Sequence, residues 1–299
     1  MSFFNRTNNK IVIRYMGGLG NQMFQYAFRC NFEKRNKIIK DDISFYENNP
    51  NAMPFELKNS FPKIILEEAE KRDIDNFWVQ KKNRSYIKKI KNKLFPYTRI
   101  FQEEKKELFY DPKILKVQSA YITGYWQNYR YVQNVKELLN ERFEFPRIEN
   151  EKILKLIEFM TNNNSVSLHI RAGDYLLPQN IEIFGNICTL QYYKDAIRKI
   201  TEQVKTPMFF VFSNDISWCK QNISLENVIW MDEISLPEHD DWVEMYLMSC
   251  CKHNIIANSS FSWWAAWLNR NPQKIVVAPK QWLKSVEKED MCPIEWIRI

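Results

Sequence analysis

The second half of the chain alternates between two hydrophobic periods. Over residues 151–160 the apolar side chains Ile153, Leu154, Ile157 and Met160 recur at helical spacing, and over 191–204 so do Tyr193, Ile197, Ile200 and Val204. Between and after them, short apolar runs predict strands at SVSLHI, 208–211, 228–230, 254–257 and 275–278, with a further helix inside 239–251. Strand and helix in alternation predict a parallel α/β sheet. The first half opens in the same way, with a strand at Ile11-Val12-Ile13, the string GGLGNQ read as a loop, and a helix from about 22 to 34. Beyond it the pattern predicts mostly charged helical segments and an aromatic-rich stretch, AYITGYWQNYRYV. No repeat or long Pro/Gly/Ser linker interrupts the chain, and Pro146 ahead of a polar stretch places the seam between domains 1–147 and 148–299.

Six glycines are present, and four fall in two strings: Gly17, Gly18 and Gly20 in GGLGNQMFQYAF, and Gly173 in SVSLHIRAGDY. Glycine lets backbone turn sharply or a ligand come close. Both strings follow a predicted strand, where open α/β sheets bind ligands. The expectation is one site built from two halves of the chain.

The 299 residues are 45% hydrophobic and 26% charged, enough for one large or two medium globular domains. No apolar run approaches the roughly 18 residues of a membrane-spanning helix. The N-terminus shows no signal-peptide pattern, which points to the cytoplasm. Six cysteines without a CxxC pair read as reduced thiols, not as zinc ligands or disulfides. The net charge is +7, and residues 81–99, KKNRSYIKKIKNKLFPYTR, hold a dense basic cluster in which Ile87, Ile90 and Leu94 would share a helix face. Such a helix either packs by its apolar stripe or lies peripherally on the anionic inner face of the cytoplasmic membrane. Nucleic acid fits less well, because no stacking aromatics interleave the charges.

Chemistry concentrates in two places. His169-Ile170-Arg171-Ala172-Gly173-Asp174 sets a histidine, an arginine and a carboxylate at a strand end, and strand alternation sends His169 and Arg171 to the same side. A guanidinium there suits a phosphate, which its planar fork can grip with two charge-assisted bonds; an Arg171–Asp174 ion pair closing a turn is the structural alternative. Asn258-Ser259-Ser260-Phe261-Ser262 then follows the apolar run Ile255-Ile256-Ala257 and precedes a helical run. Small hydroxyl residues at a helix start cap its N–H groups or form an anion site with them. Trp263, Trp264 and Trp267 read as helix-packing core.

With GGLGNQMFQYAF, LHIRAGDY, FSNDISWC and NIIANSSFSWWAAWLN occurring in that order, the chain resembles the bacterial α1,2-fucosyltransferases of glycosyltransferase family 11 over essentially residues 10–299. The resemblance implies a GT-B-like α/β fold, two Rossmann-like domains facing across a cleft, with the N-terminal domain on the acceptor side and the C-terminal domain binding GDP-fucose. It implies inverting, metal-independent transfer of L-fucose from GDP-β-L-fucose to the 2-hydroxyl of a galactoside acceptor, an oligosaccharide or a lipid-linked glycan. By the same resemblance His169 and Arg171 contact guanine and diphosphate, Ser259, Ser260 and Phe261 bind the diphosphate beside Asn258, Glu244 reads the guanine edge, and Asn214 and Asp215 add nucleotide contacts. Asn21, with Gly18 and Gly20, lies near the fucose. One departure is Ala172, where the family usually has a second arginine.

Inversion by one displacement needs a base at the acceptor hydroxyl and charge stabilisation at the departing diphosphate. Asp174 is the first candidate for the base, with Glu182 and His239 behind it, and the sequence leaves the choice open. The single DxD, Asp73-Ile74-Asp75, follows a charged run and reads as solvated surface, not as a metal site, and its double alanine variant as near silent. Two rivals stand. A dinucleotide oxidoreductase would need GxGxxG spacing and a ribose-binding carboxylate, for which Asp41 or Asp42 is the best available. A non-catalytic carbohydrate-binding protein would draw on the 15% aromatic content, yet it has no use for a diphosphate cradle.

Overall fold

The computed structural model describes residues 9–82, 99–102, 108–171, 185–233, 241–284 and 291–299. The chain divides into two compact units, Met1–Glu144 and Phe145–Ile299. The division falls ahead of Pro146 and not after it. Phe145 belongs to the second unit because its ring packs on Trp242 and Tyr246, at centroid distances of 6.1 and 5.0 Å.

In the first unit the strands are β1 (Lys10–Arg14), β2 (Ile38–Asp42), β3 (Arg99–Gln102) and β4 (Ala120–Thr123). Among the described residues they form a parallel sheet in the order β2-β1-β4-β3. Its helices are α1 (Leu19–Glu33), α2 (Ser44–Asn48), α3 (Leu57–Ser60), α4 (Lys71–Lys82), α5 (Tyr129–Gln133) and α6 (Lys136–Arg142). Two of these strands, β2 and β3, depart from the charged helical segments that the pattern predicts, and β4 opens the aromatic-rich stretch. In β2, IIKDD, the two carboxylates are buried: Asp41 accepts from Arg29 Nε at 2.9 Å, Tyr15 Oη at 3.1 Å and the Glu67 amide at 2.8 Å. Burial pushes the Asp41 carboxyl up, and the Arg29 guanidinium opposes that push. Removing either partner would leave a buried charge uncompensated, a loss of about 3–5 kcal/mol.

The glycine string is also more helical than predicted. Gly18 is the N-cap of α1, so Gly20 and Asn21 lie in its first turn. Glycine's poor helix propensity hides this start from the sequence. Asp73 is a second correction, because it is buried on α4, ion-paired with Lys10 and accepting from the Glu70 amide at 3.1 Å, while Asp75 is exposed.

The second unit contains β5 (Ser165–Ile170), β6 (Met208–Ser213), β7 (Val228–Trp230), β8 (His253–Ile255), β9 (Val276–Ala278) and β10 (Ile297–Arg298). Its helices are α7 (Glu151–Asn162), α8 (Leu190–Thr201), α9 (Ile216–Asn222), α10 (Asp241–Cys250) and α11 (Ser260–Leu268). The parallel sheet runs β10-β9-β8-β5-β6-β7, the doubly wound Rossmann order. Every residue of β5 is buried, as expected of a central parallel strand covered on both faces. Helix α8, capped by Thr189 on the Tyr192 amide at 3.2 Å, turns Tyr192, Tyr193, Ala196 and Ile200 into a core with Val166, Leu168 and Val211. Trp263 and Trp264 of α11 are fully buried, and Trp263 Nε1 donates to the Met291 carbonyl at 2.8 Å. None of the six cysteines is joined in a disulfide. Among the described residues no helix is long and apolar enough to cross a membrane. Residues 83–98 of the basic stretch lie outside the described ones.

Candidate active site

The order of the second sheet fixes where a ligand can sit. The strand order reverses between β5 and β8, and the crevice beyond the carboxyl ends of those two strands is the binding place of open α/β sheets. His169 lies at the end of β5 and Arg171 just past it, while Asn258, Ser259 and Ser260 follow β8. The two motifs singled out in the sequence therefore meet at the switch point.

His169 is almost fully buried, and its ring centroid is 6.2 Å from that of Phe261. Burial, with the Arg171 charge adding, pushes its pKa down to about 3, so the imidazole is neutral at physiological pH. Its Nδ1 has no hydrogen-bond partner among the described residues. A neutral ring of this kind serves as a hydrogen-bonding group, not as a cation for phosphate. The cation beside it is Arg171, whose backbone amide is held by Tyr193 Oη at 3.3 Å.

Helix α10 brings Glu244 to the same point. Burial raises its carboxyl to about 7, Asp241 adds to the rise, and the Arg171 charge opposes it. At neutral pH the group stands between its two forms. At the start of α11 the Ser259 side chain does not cap the helix, and the Ser262 hydroxyl turns back to the Ser259 carbonyl at 3.3 Å. The helix starts just past the carboxyl end of β8, and a helix start carries free N–H groups and the positive end of the dipole, which suit an anion.

Two residues expected at the nucleotide also have structural tasks. Asp215 is the N-cap of α9, its Oδ1 accepting from the Trp218 amide at 2.9 Å, and Asn214 beside it is exposed. Asn258 is buried, with Nδ2 donating to the Trp282 carbonyl at 3.3 Å and its amide to Cys188 Sγ at 3.3 Å. Asp174, Glu182 and His239 lie outside the described residues.

In the first unit the corresponding switch point lies between β1 and β4. Gly17, at φ +80°, turns the chain out of β1, and an added Cβ would stand 2.5 Å from Asn21 Nδ2. At Gly18 the same atom would press on Met53 Sδ at 2.9 Å. Two buried glutamines of the motif lock this turn. Gln22 Nε2 donates to the carbonyls of Gly17 and Pro54, each at 2.9 Å, and its Oε1 accepts from the amides of Glu56 and Leu57. Gln25 accepts from the Met16 amide at 3.1 Å and donates to the Gly124 carbonyl at 2.9 Å. The sequence reading passed over both, although two amides spaced three apart beside a glycine turn are a signal of such a lock. Asp41 and Asp42 are spent inside the unit, Asp42 on Tyr121 Oη at 2.6 Å and the Ser44 amide at 3.0 Å. The oxidoreductase reading is left without its ribose carboxylate.

Comparison with known proteins decides the family. The family model for glycosyl transferase family 11 matches residues 4–299. The chain belongs to glycosyltransferase family 11. It is 38% identical to an α-1,2-colitosyltransferase of Escherichia coli, with 97% of this chain and 98% of that one covered. It is 30% identical to the O-antigen biosynthesis glycosyltransferase WbnK of Escherichia coli, with 95% and 98% covered. Among solved structures, the NodZ α-1,6-fucosyltransferase soaked with GDP-fucose superposes with a TM-score of 0.50 at 14% identity, covering 86% of this chain and 91% of that one. That likeness shows the fold. This family 11 glycosyltransferase is an α/β protein of the GT-B class, with two parallel-sheet units.

Proposed function

We propose that the protein transfers L-fucose from GDP-β-L-fucose to the 2-hydroxyl of a galactose-containing acceptor, inverting the anomeric centre to an α1,2 linkage. The observation that carries this reading is the convergence of neutral His169, Arg171, Glu244 and the uncapped start of α11 on one switch point. Guanine offers a ring N–H and an amino group to the Glu244 carboxylate. The diphosphate meets the Arg171 fork and the α11 N–H groups, where charge develops as it departs. The acceptor oxygen bonds to C1 as the C1–O bond to the β-phosphate breaks. GDP leaves with that electron pair, and the hydroxyl proton passes to a base, for which Asp174 is the first candidate and Glu182 and His239 are the next. By the family resemblance, Asn21, with Gly18 and Gly20, is assigned to the sugar.

No metal is needed in this scheme, since Arg171 and the helix dipole supply the positive charge, and Asp73 of the DxD is committed to Lys10. The acceptor is an oligosaccharide or lipid-linked glycan of the O-antigen kind, which fits a cytoplasmic enzyme. A second reading has an observation of its own, the 38% identity to a colitosyltransferase. Colitose is fucose without the 3-hydroxyl, so the same cradle would serve GDP-colitose. A panel of GDP-fucose, GDP-colitose and UDP-sugars, with terminal galactosides and excess EDTA, tests both. Turnover of a GDP-linked 6-deoxy sugar in EDTA is expected; a strict metal requirement or preference for a UDP-sugar would overturn the reading.

A further inference from the structure

At the carboxyl end of β4 the backbone takes a conformation that side-chain-bearing residues avoid. Trp126 sits at φ +53°, strain that persists only where the surroundings enforce it and that concentrates at functional sites. The enforcement is visible. The buried Trp126 ring stacks on Phe28 at 4.3 Å and 12°, and meets Tyr131 edge-on at 6.4 Å. Its carbonyl accepts the Asn128 amide at 2.9 Å, closing a three-residue turn centred on Gln127. Asn128 is pinned in turn, donating to the Leu108 carbonyl at 2.7 Å and accepting from the Arg130 amide at 2.9 Å.

That turn aims the Gln127 side chain at α1, where its Nε2 donates to Asn21 Oδ1 at 2.6 Å. On the other side Asn21 Nδ2 lies beside Gly17, where an added Cβ would stand 2.5 Å from it. The asparagine amide is therefore held in one orientation, oxygen toward Gln127 and nitrogen alongside the glycine turn. Both Asn21 and Gln127 are half-buried at the switch point.

We propose that Gln127 is a positioning residue for the transfer reaction, fixing the Asn21 amide so that it offers an N–H donor and not a carbonyl to a sugar hydroxyl. The proposal rests on the reading of the protein as a nucleotide-sugar transferase. A purely structural role, tying α1 to the β4 turn, would affect stability and leave sugar chemistry in step with it.

The test measures transfer kcat, acceptor KM, GDP affinity and Tm for Gln127→Ala, Gln127→Glu, Asn21→Asp, Asn21→Ala and the double alanine variant. Gln127→Ala should lower kcat about 10- to 100-fold, the scale of a slightly misplaced group, with GDP affinity unchanged. Gln127→Glu keeps the size of the side chain but cannot donate to Oδ1. It must accept from Nδ2, turning the Asn21 oxygen outward, so it should fall at least as far. Asn21→Asp keeps the Gln127 bond and loses the donor, and should resemble Asn21→Ala. In the Asn21→Ala background, Gln127→Ala should cost no more than about twofold further, as expected of groups acting as one unit. Wild-type kcat in Gln127→Glu, losses that multiply in the double variant, or a rate that falls only in step with Tm would overturn the assignment. A wild-type enzyme that turns over no nucleotide sugar would instead overturn the functional reading beneath it.

Discussion

Glu244→Gln should uncouple GDP binding from pH. Burial lifts the Glu244 carboxyl from its ordinary 4.5 to about 7, with Asp241 adding and Arg171 opposing. A shift of that size disfavours the ionised form by roughly 3–4 kcal/mol. The free folded protein holds this proton between pH 4.5 and 7 while the unfolded chain has released it. The group's contribution to stability is therefore full below pH 4.5 and is lost as pH rises through 7. Guanine's donors favour the carboxylate, so GDP binding at pH 6 should expel close to one proton, and affinity should fall toward tenfold per pH unit below 7. The amide variant cannot ionise. It should lose that slope and bind GDP about 10- to 100-fold more weakly at pH 8, the loss of a charge-assisted contact of about 1.5–3 kcal/mol. Calorimetry in buffers of differing ionisation enthalpy, from pH 5.5 to 8, reads both quantities. The β-phosphate of GDP titrates nearby but equally in both proteins, and His169, at about 3, is silent in this window. The same proton release in wild type and variant would refute guanine recognition by Glu244.

Arg171→Ala should remove most GDP affinity, and Arg171→Lys should not restore it, because a point charge lacks the two-pronged grip on a diphosphate; GDP titration of the folded variants decides. Asp73→Ala should destabilise the protein by about 1–3 kcal/mol by stranding Lys10, while the exposed Asp75→Ala should not change Tm, so thermal melts of the two single variants separate them. Although burial raises the Asp73 carboxyl, Lys10 and the Glu70 amide hold it below its ordinary value. Its contribution is present above pH 4 and disappears as pH falls further, so the two melts should converge in acid. Asp174→Asn should reduce kcat by about 10²–10⁴ with GDP still bound, the contribution of a positioned base; a near wild-type kcat would pass the role to Glu182.

What the sequence disclosed depended on how local the cause was. β5 and α8 declare themselves because their apolar residues follow period 2 and period 3.6 within a few turns of chain. β2 does not, because IIKDD becomes a buried strand only when Arg29, Tyr15 and Tyr121 arrive to bind its carboxylates. The start of α1 was masked by Gly20, and the burial of Asp73 by a lysine 63 positions away. The switch-point site was legible in part: strand ends and glycines marked His169, Arg171, Ser259 and Ser260, whereas Glu244 entered only through the family resemblance. Asp215 as a cap was foreseeable from its place ahead of a helical run. Gln127 was not, since its role rests on a turn strained at Trp126 and on Asn21, 106 residues earlier.

The most direct measurement is the structure of the product. Purified protein incubated with GDP-fucose and a terminal β-galactoside should release one GDP per sugar transferred. Two-dimensional NMR of the glycan should then connect an α-configured fucose C1 to galactose O2. The same α1,2 product carrying colitose, formed only from GDP-colitose, would select the second donor. A β-configured product, a linkage elsewhere on the galactose, or transfer from a UDP-sugar alone would contradict inverting α1,2 transfer from a GDP-linked 6-deoxy sugar.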